Sequence, residues 1–262
     1  MSSSRAPSLL QAQTDGVSSD DPIAAFLARE QARCAAVAAV VGASLAAVQA
    51  ALHQSGAATS PDTLAVIATL LQGNTPERWQ AAWAGPSEAP AFLSALAQRA
   101  AGGAELCRRH ANNAVIGSNE PAPLDHLFDV HGLVSTLRHV CAAEQGVAID
   151  ALSLRTVWDM HEAAGTCAAP LAVSGLAIEG AVFDGRALVH VAPDAPATAP
   201  LQPVVIAWVQ SQPRKRDAVS FALPVYVSAQ RQQLLLQLPV PVRSAVQAHE
   251  LALAGAAAFV EA

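Results

Sequence analysis

Near residue 150 the apolar residues of this chain stop recurring every three or four positions and begin to alternate. A helix returns to the same face after about 3.6 residues and a strand after two, so the first pattern buries as helices and the second as strands. The switch predicts an α+β chain with segregated halves: a helical portion over 22–150 and short strands over 151–262. The opening 1–21, "MSSSRAPSLLQAQTDGVSSDD", is polar, without the basic start and apolar run of a signal peptide, and reads as a disordered leader.

The helical portion carries repeated start and stop signals. Asp20 and Asp21 precede Pro22; Ser60, Pro61 and Asp62 open a second helix that Gly73 stops. Thr75, Pro76 and Glu77 open a third, with Trp79 and Trp83 four apart on one face and Gly85-Pro86 at its end. A longer helix follows, weakened at Gly102-Gly103, and a last one carries Leu133, Leu137, Val140 and Cys141 as a core stripe.

In the second half, Pro224, Pro239 and Pro241 lack an N–H for a ladder and place their strands at edges or bulges. "LALAGAAAFVEA" suits a last strand or a closing helix. Six or so short strands predict a small barrel or sandwich. Asp184-Gly185 is the dipeptide that a type I′ hairpin turn prefers, with "AIEGAVF" and "RALVHV" as its arms, so Asp184 reads most simply as a turn residue.

Composition excludes several chemistries. A net charge of −6 argues against a nucleic-acid groove. Lys215 is the only lysine and no glycine loop precedes it, so these residues cannot build a phosphate-binding P-loop. Neither a G-x-S-x-G elbow nor a G-x-G-x-x-G turn is present. The cysteines, at 34, 107, 141 and 167, are too dispersed for a zinc site or a disulfide framework. His126, His131, His139 and Cys141 lack the spacing that converges ligands on a helix. "RKR" at 214–216 reads as a solvated loop, and the four tryptophans, 79, 83, 158 and 208, as core or interface anchors.

Two alternatives stay open at this level. Glu179 and Asp184 are a candidate acid/base pair for a free-standing hydrolase. The uncharged run 34–52 is nearly long enough to anchor an adaptor in a membrane. Its bulky residues Val37, Val41, Leu45, Val48 and Leu52 nevertheless form one stripe, as a soluble helix requires.

The order of the motifs carries a resemblance. The W-x3-W-x-G-P block (Trp79, Trp83, Gly85, Pro86), the "GLAIEGAVFDG" segment (Gly175, Glu179, Gly180, Phe183, Asp184, Gly185) and the "LPVYVSAQR" block (Pro224, Tyr226, Arg231) come in turn, with "DPIAAFLAREQ" before them and "DHLFDVHGLVSTLRHV" between. In this order they resemble the C-terminal domain of dynein heavy chains over about 22–262, and within that family most of all cytoplasmic dynein 2, the retrograde motor of intraflagellar transport.

The resemblance implies a helical portion followed by a small, partly open antiparallel β-barrel, packed on a ring of AAA+ modules that it braces and regulates. It implies no catalytic residue, no cofactor and no metal in this chain; ATP would be bound by upstream AAA+ modules. Accessory chains and microtubules would be met only through the full motor, in the cytoplasm, cytoskeleton and cilium. Such a polypeptide would be the tail-end piece of a motor or a separately encoded remnant of one. Asp129-Val130-His131-Gly132 and the alanine-rich "AGAAAFVE" depart from the family pattern and put packing there in question.

Overall fold

The structure is a computed structural model, and it describes residues 21–53, 59–158, 169–184, 187–191, 198–210 and 220–260. Helix α1, Pro22–His53, begins where the Asp21 carboxylate accepts hydrogen bonds from the Ile23 and Ala24 amides. Helix α2, Pro61–Leu71, has Ser60 as N-cap, its side chain accepting from the Thr63 amide. In α3, Glu77–Ala82, the expected Thr75 cap does not form; Pro76 takes that position and the Thr75 hydroxyl donates to the Pro86 carbonyl instead.

Helix α4, Ala89–Ala111, runs unbroken through Gly102-Gly103. Its end is tied to the start of α1 by His110 Nε2 and Asp21 Oδ2, 2.9 Å apart. Helix α5, Val130–Gln145, uses the divergent Asp129 as its cap, accepting from the Gly132 amide, and ends at Gly146 with a φ of 62°.

The sheets correct the expectation of an antiparallel barrel. One sheet has the order β1-β3-β8-β2, formed by β1 (Ala122–Pro123), β3 (Leu171–Ser174), β8 (Val204–Gln210) and β2 (Leu152–Val157). The other has the order β10-β9-β11-β4-β7: β10 (Leu234–Pro241), β9 (Ser220–Tyr226), β11 (Ala257–Val260), β4 (Leu176–Glu179) and β7 (Thr198–Leu201). Both are open, and both are mixed, since β1 runs parallel to β3 and β11 parallel to β9. The physical reason is that β11 arrives after helix α6 (Ala245–Leu253) and slots between β4 and β9, pairing antiparallel with one and parallel with the other. The "LALAGAAAFVEA" segment is thus both helix and strand, and its alanine-rich strand is wholly buried.

Gly175, with φ of 76°, joins β3 to β4 and carries the backbone from one sheet to the other. At the far side β2 and β10 approach one another without hydrogen-bonding. The main core lies between these sheets and the apolar faces of α5 and the first turns of α1, with Phe26, Leu124, Leu137, Leu171, Leu223 and Val240 at its centre.

The hairpin is also revised. β4 ends at Gly180 (φ 75°), and only β5 (Ala181–Phe183) pairs with β6 (Leu188–His190), the last pair being Phe183 and Leu188. Asp184 is not among the described non-glycine residues with positive φ, so it is not a central residue of a type I′ turn. It flanks the turn instead: its amide donates to the Ala187 carbonyl and its carboxylate accepts from the Ala187 amide. Gly185 lies outside the described residues, as do 1–20, Cys167 and the RKR run.

Pro239 sits on the edge strand β10 as expected, and β10 has an irregularity between Leu234 and Leu236. Pro224 does not sit on an edge strand, because β9 is interior. It is accommodated because β11 pairs only with Val225 and Tyr226, one step beyond the proline.

Candidate functional site

The motif residues gather into two structural nodes rather than one reactive centre. The first forms where α3 turns back onto α4. Trp79 and Phe92 are fully buried and Trp83 nearly so, with ring centroids 5.7 Å apart for Trp79–Phe92 and 4.8 Å for Trp83–Phe92. Phe128 closes the cluster edge-on to Trp83 at 5.4 Å. Gly85 must be glycine here: a Cβ would lie 2.7 Å from the Trp83 ring. Gln80 Nε2 donates to the Gly85 and Pro86 carbonyls, fixing the return of the backbone. The four residues of the W-x3-W-x-G-P block are therefore one packing unit.

Two charged residues that sequence reasoning missed lie inside this node. Arg99 is 9% exposed and stacks on Trp83 at 4.4 Å, and Glu30 is 5% exposed with its carboxylate accepting from the Phe128 amide at 2.6 Å. Burial raises the Glu30 pKa above the ordinary value, and burial likewise lowers that of Arg99, against the pull of Asp125 and Glu30. The signal was present in the periodicity: Glu30 sits on the α1 stripe with Phe26 and Val37, and Arg99 on the α4 stripe with Phe92 and Leu106.

The second node joins the other two motif blocks. Arg231, held at φ 54°, donates to Glu179 Oε2 at 2.7 Å and to the Gly255 carbonyl at 3.1 Å. One side chain thereby ties the turn after β9 to the end of β4 and to the approach to β11. Gly180 lets these segments meet, since a Cβ there would lie 3.2 Å from the Ala254 carbonyl. Tyr226 is half-buried between β10 and β11, opposite Leu234 and Phe259. Phe183 stacks on Trp158 at 4.1 Å.

The acid/base reading of Glu179 and Asp184 finds no support in this geometry. Glu179 is ion-paired with Arg231, and Asp184 with Arg243, so the two carboxylates serve different arginines on different elements. Among the described residues no group of three or more His, Cys, Asp or Glu is placed to hold a metal ion. Cys34 and Cys107 are reduced thiols, both with pKa raised by burial.

The outer half of α1 and all of α2 form a different kind of surface. The predicted stripe is buried only at Val37 and Val41; Leu45 is 39% and Leu52 73% exposed, and on α2 Leu64 and Leu71 are exposed as well. α2 has no buried residue. By length and composition α1 would suffice to cross a membrane. A span over 34–52 would, however, have to withdraw Val37 and Val41 from the cluster they share with Trp79 and Phe92.

Comparison with known proteins finds relatives for nearly the whole chain. The family formed by the C-terminal domain of dynein heavy chains matches residues 3–260. Cytoplasmic dynein 2 heavy chain 1 of Chlamydomonas reinhardtii is 28% identical over 249 residues, 91% of this chain and 6% of that protein. The Homo sapiens and Caenorhabditis elegans proteins of the same name are each 27% identical, over 84% and 72% of this chain and 5% and 4% of their own length. The chain thus spans about a twentieth of the length of these relatives. With the match running almost end to end and both motif nodes assembled as packing units, this polypeptide belongs to the family of C-terminal domains of dynein heavy chains.

Proposed function

We propose that this protein is the bracing and regulatory domain of a cytoplasmic dynein 2 motor, packing on the motor's AAA+ ring and carrying no ATPase site of its own. The observation that carries the reading is the apolar surface on the outer half of α1 and on α2, where Leu45, Leu52, Leu64 and Leu71 face solvent. These two helices pack together, and exposed apolar residues on neighbouring elements are where an interaction site is sought. The two motif nodes support it, because they spend their polar groups on holding the domain's shape. ATP is then bound by upstream AAA+ modules, and accessory chains and microtubules are engaged through the whole motor. The setting is the cytoplasm, cytoskeleton and cilium, with retrograde intraflagellar transport as the activity.

The test begins with an antibody to residues 22–262 on a whole-cell lysate, followed by hydrogen exchange on the purified native product. A product far larger than 26.8 kDa, or a 26.8 kDa product that co-purifies with AAA+ modules, is expected. In either form, amides of 42–53 and 61–71 should exchange more slowly than in the isolated domain. Equal exchange in the two states would refute docking through this face.

A further inference from the structure

A cleft of about 350 Å³ opens where β2 and β10 run side by side and α5 crosses them. Its volume is at the small end of the range for organic ligands, about 300–1,000 Å³. Val134 of α5, Leu154 of β2 and Leu235 of β10 give it an apolar wall, and His131, Arg138 and Trp208 give it polar groups. Three nitrogens there, His131 Nε2, Arg138 Nε and Trp208 Nε1, are buried without a hydrogen-bond partner. The last two can only donate, so what they lack is an acceptor.

Arg138 is held at the cleft, with Nη2 donating to the Ile149 carbonyl at 2.9 Å and its guanidinium stacked 4.9 Å from the Trp208 ring centroid. Its ion-pair partner Asp150 is 3.9 Å away and wholly exposed, which leaves most of the charge uncompensated. No Asp or Glu lines the cleft among the described residues. A cation and unsatisfied donors beside an apolar wall describe the complement of a carboxylate on a hydrocarbon body.

We propose that this cleft binds a small organic carboxylate, its oxygens against Arg138 and its apolar part along Val134, Leu154 and Leu235. The unpaired nitrogens are buried in this conformation, so binding requires the partly exposed Arg138 and His131 to turn, Arg138 exchanging its contacts with Ile149 and Trp208 for the ligand. An inorganic anion would leave the apolar wall unfilled, and a neutral amide would leave the guanidinium without a counter-charge. The inference does not depend on docking to a ring.

The test titrates the 262-residue protein with sodium hexanoate and follows the Trp208 indole N–H by NMR, assigned with Trp208→Phe. The expected result is a saturable shift with a Kd of order 1 mM, as suits a ligand of about eight heavy atoms. Hexanamide should bind about tenfold more weakly or worse, as should hexanoate to Arg138→Gln. The amide comparison needs no variant and stands even where Arg138→Gln fails to fold. No Trp208 shift, or equal shifts with acid and amide, overturns the proposal. A shift produced by a blocked glutamate pentapeptide but not by hexanoate also overturns it, and assigns the cleft to a protein partner.

Discussion

Gly102 and Gly103 are neighbours in α4, both buried, yet alanine should act on them with opposite sign. In a helix interior Gly→Ala contributes about 0.8–1 kcal/mol through backbone entropy. At Gly103 a new Cβ meets nothing within 4 Å, so the whole gain is realised and the melting temperature should rise by about 2–4 °C. At Gly102 the Cβ would lie 2.5 Å from His126 Nδ1 and 2.6 Å from its Cβ. The His126 Cβ moves only with the backbone of its one-turn 3-10 helix, Leu124–His126, which packs against α4. Overpacking of this kind costs about 1–3 kcal/mol, which meets or exceeds the propensity gain. Gly102→Ala should therefore melt no higher than the parent and up to about 8 °C below it, the full loss of about 2 kcal/mol at about 4 °C each. Parallel thermal and urea unfolding, read by tryptophan fluorescence, measures both. Two shifts of the same sign and similar size would show that His126 does not rest on α4 as described.

Phe92→Ala should cost about 3–5 kcal/mol in urea unfolding, because its ring is fully buried between Trp79 and Trp83. Arg231→Ala should cost about 1–2 kcal/mol through the lost bonds to Glu179 and Gly255; Arg231→Gly should cost about 1 kcal/mol less, since glycine adopts φ 54° without strain. The Glu30 carboxyl has a folded-state pKa above the ordinary 4.5, so the folded state holds its proton more tightly than the unfolded one. Its contribution is fully present below the unfolded value and is lost as pH rises through the folded one, and Glu30→Gln should flatten that fall in unfolding free energies measured between about pH 4 and 7.

Local signals were legible wherever the structure is decided locally. Asp21 and Ser60 cap helices as their sequence context indicates, Trp79 and Trp83 anchor the aromatic node, and the period change separates most helices from most strands. What escaped reading depends on partners distant in the sequence. Nothing near 257–260 reveals that this strand lies between β4 and β9, and nothing near 122–123 reveals a parallel contact with 173–174. Without those parallel pairs the strands read as an antiparallel barrel. Asp184 was misplaced for a related reason: Asp-Gly favours a tight turn, but the register of Phe183 with Leu188 moves the turn one position along. The α1 stripe was legible only in part: Val37 and Val41 are buried as it predicts, but Leu45 and Leu52, read as members of the same stripe, are exposed.

Helix α1 also has a mechanical character. Ile23, Phe26 and Leu27 are set in the main core and Val37 and Val41 in the aromatic cluster, while Leu45 and Leu52 beyond them are exposed. A helix clamped at one end and loaded at the other is a cantilever. From Val41 to Leu52 it runs for about 17 Å at about 1.5 Å per residue, so moving its tip by about 1 Å tilts the helix by about 3–4 degrees. The fulcrum is the Trp79–Phe92–Trp83 stack, where the buried Arg99 and Glu30 sit. A force applied to the tip would turn the helix about that stack, where the charged groups of Arg99 and Glu30 are buried.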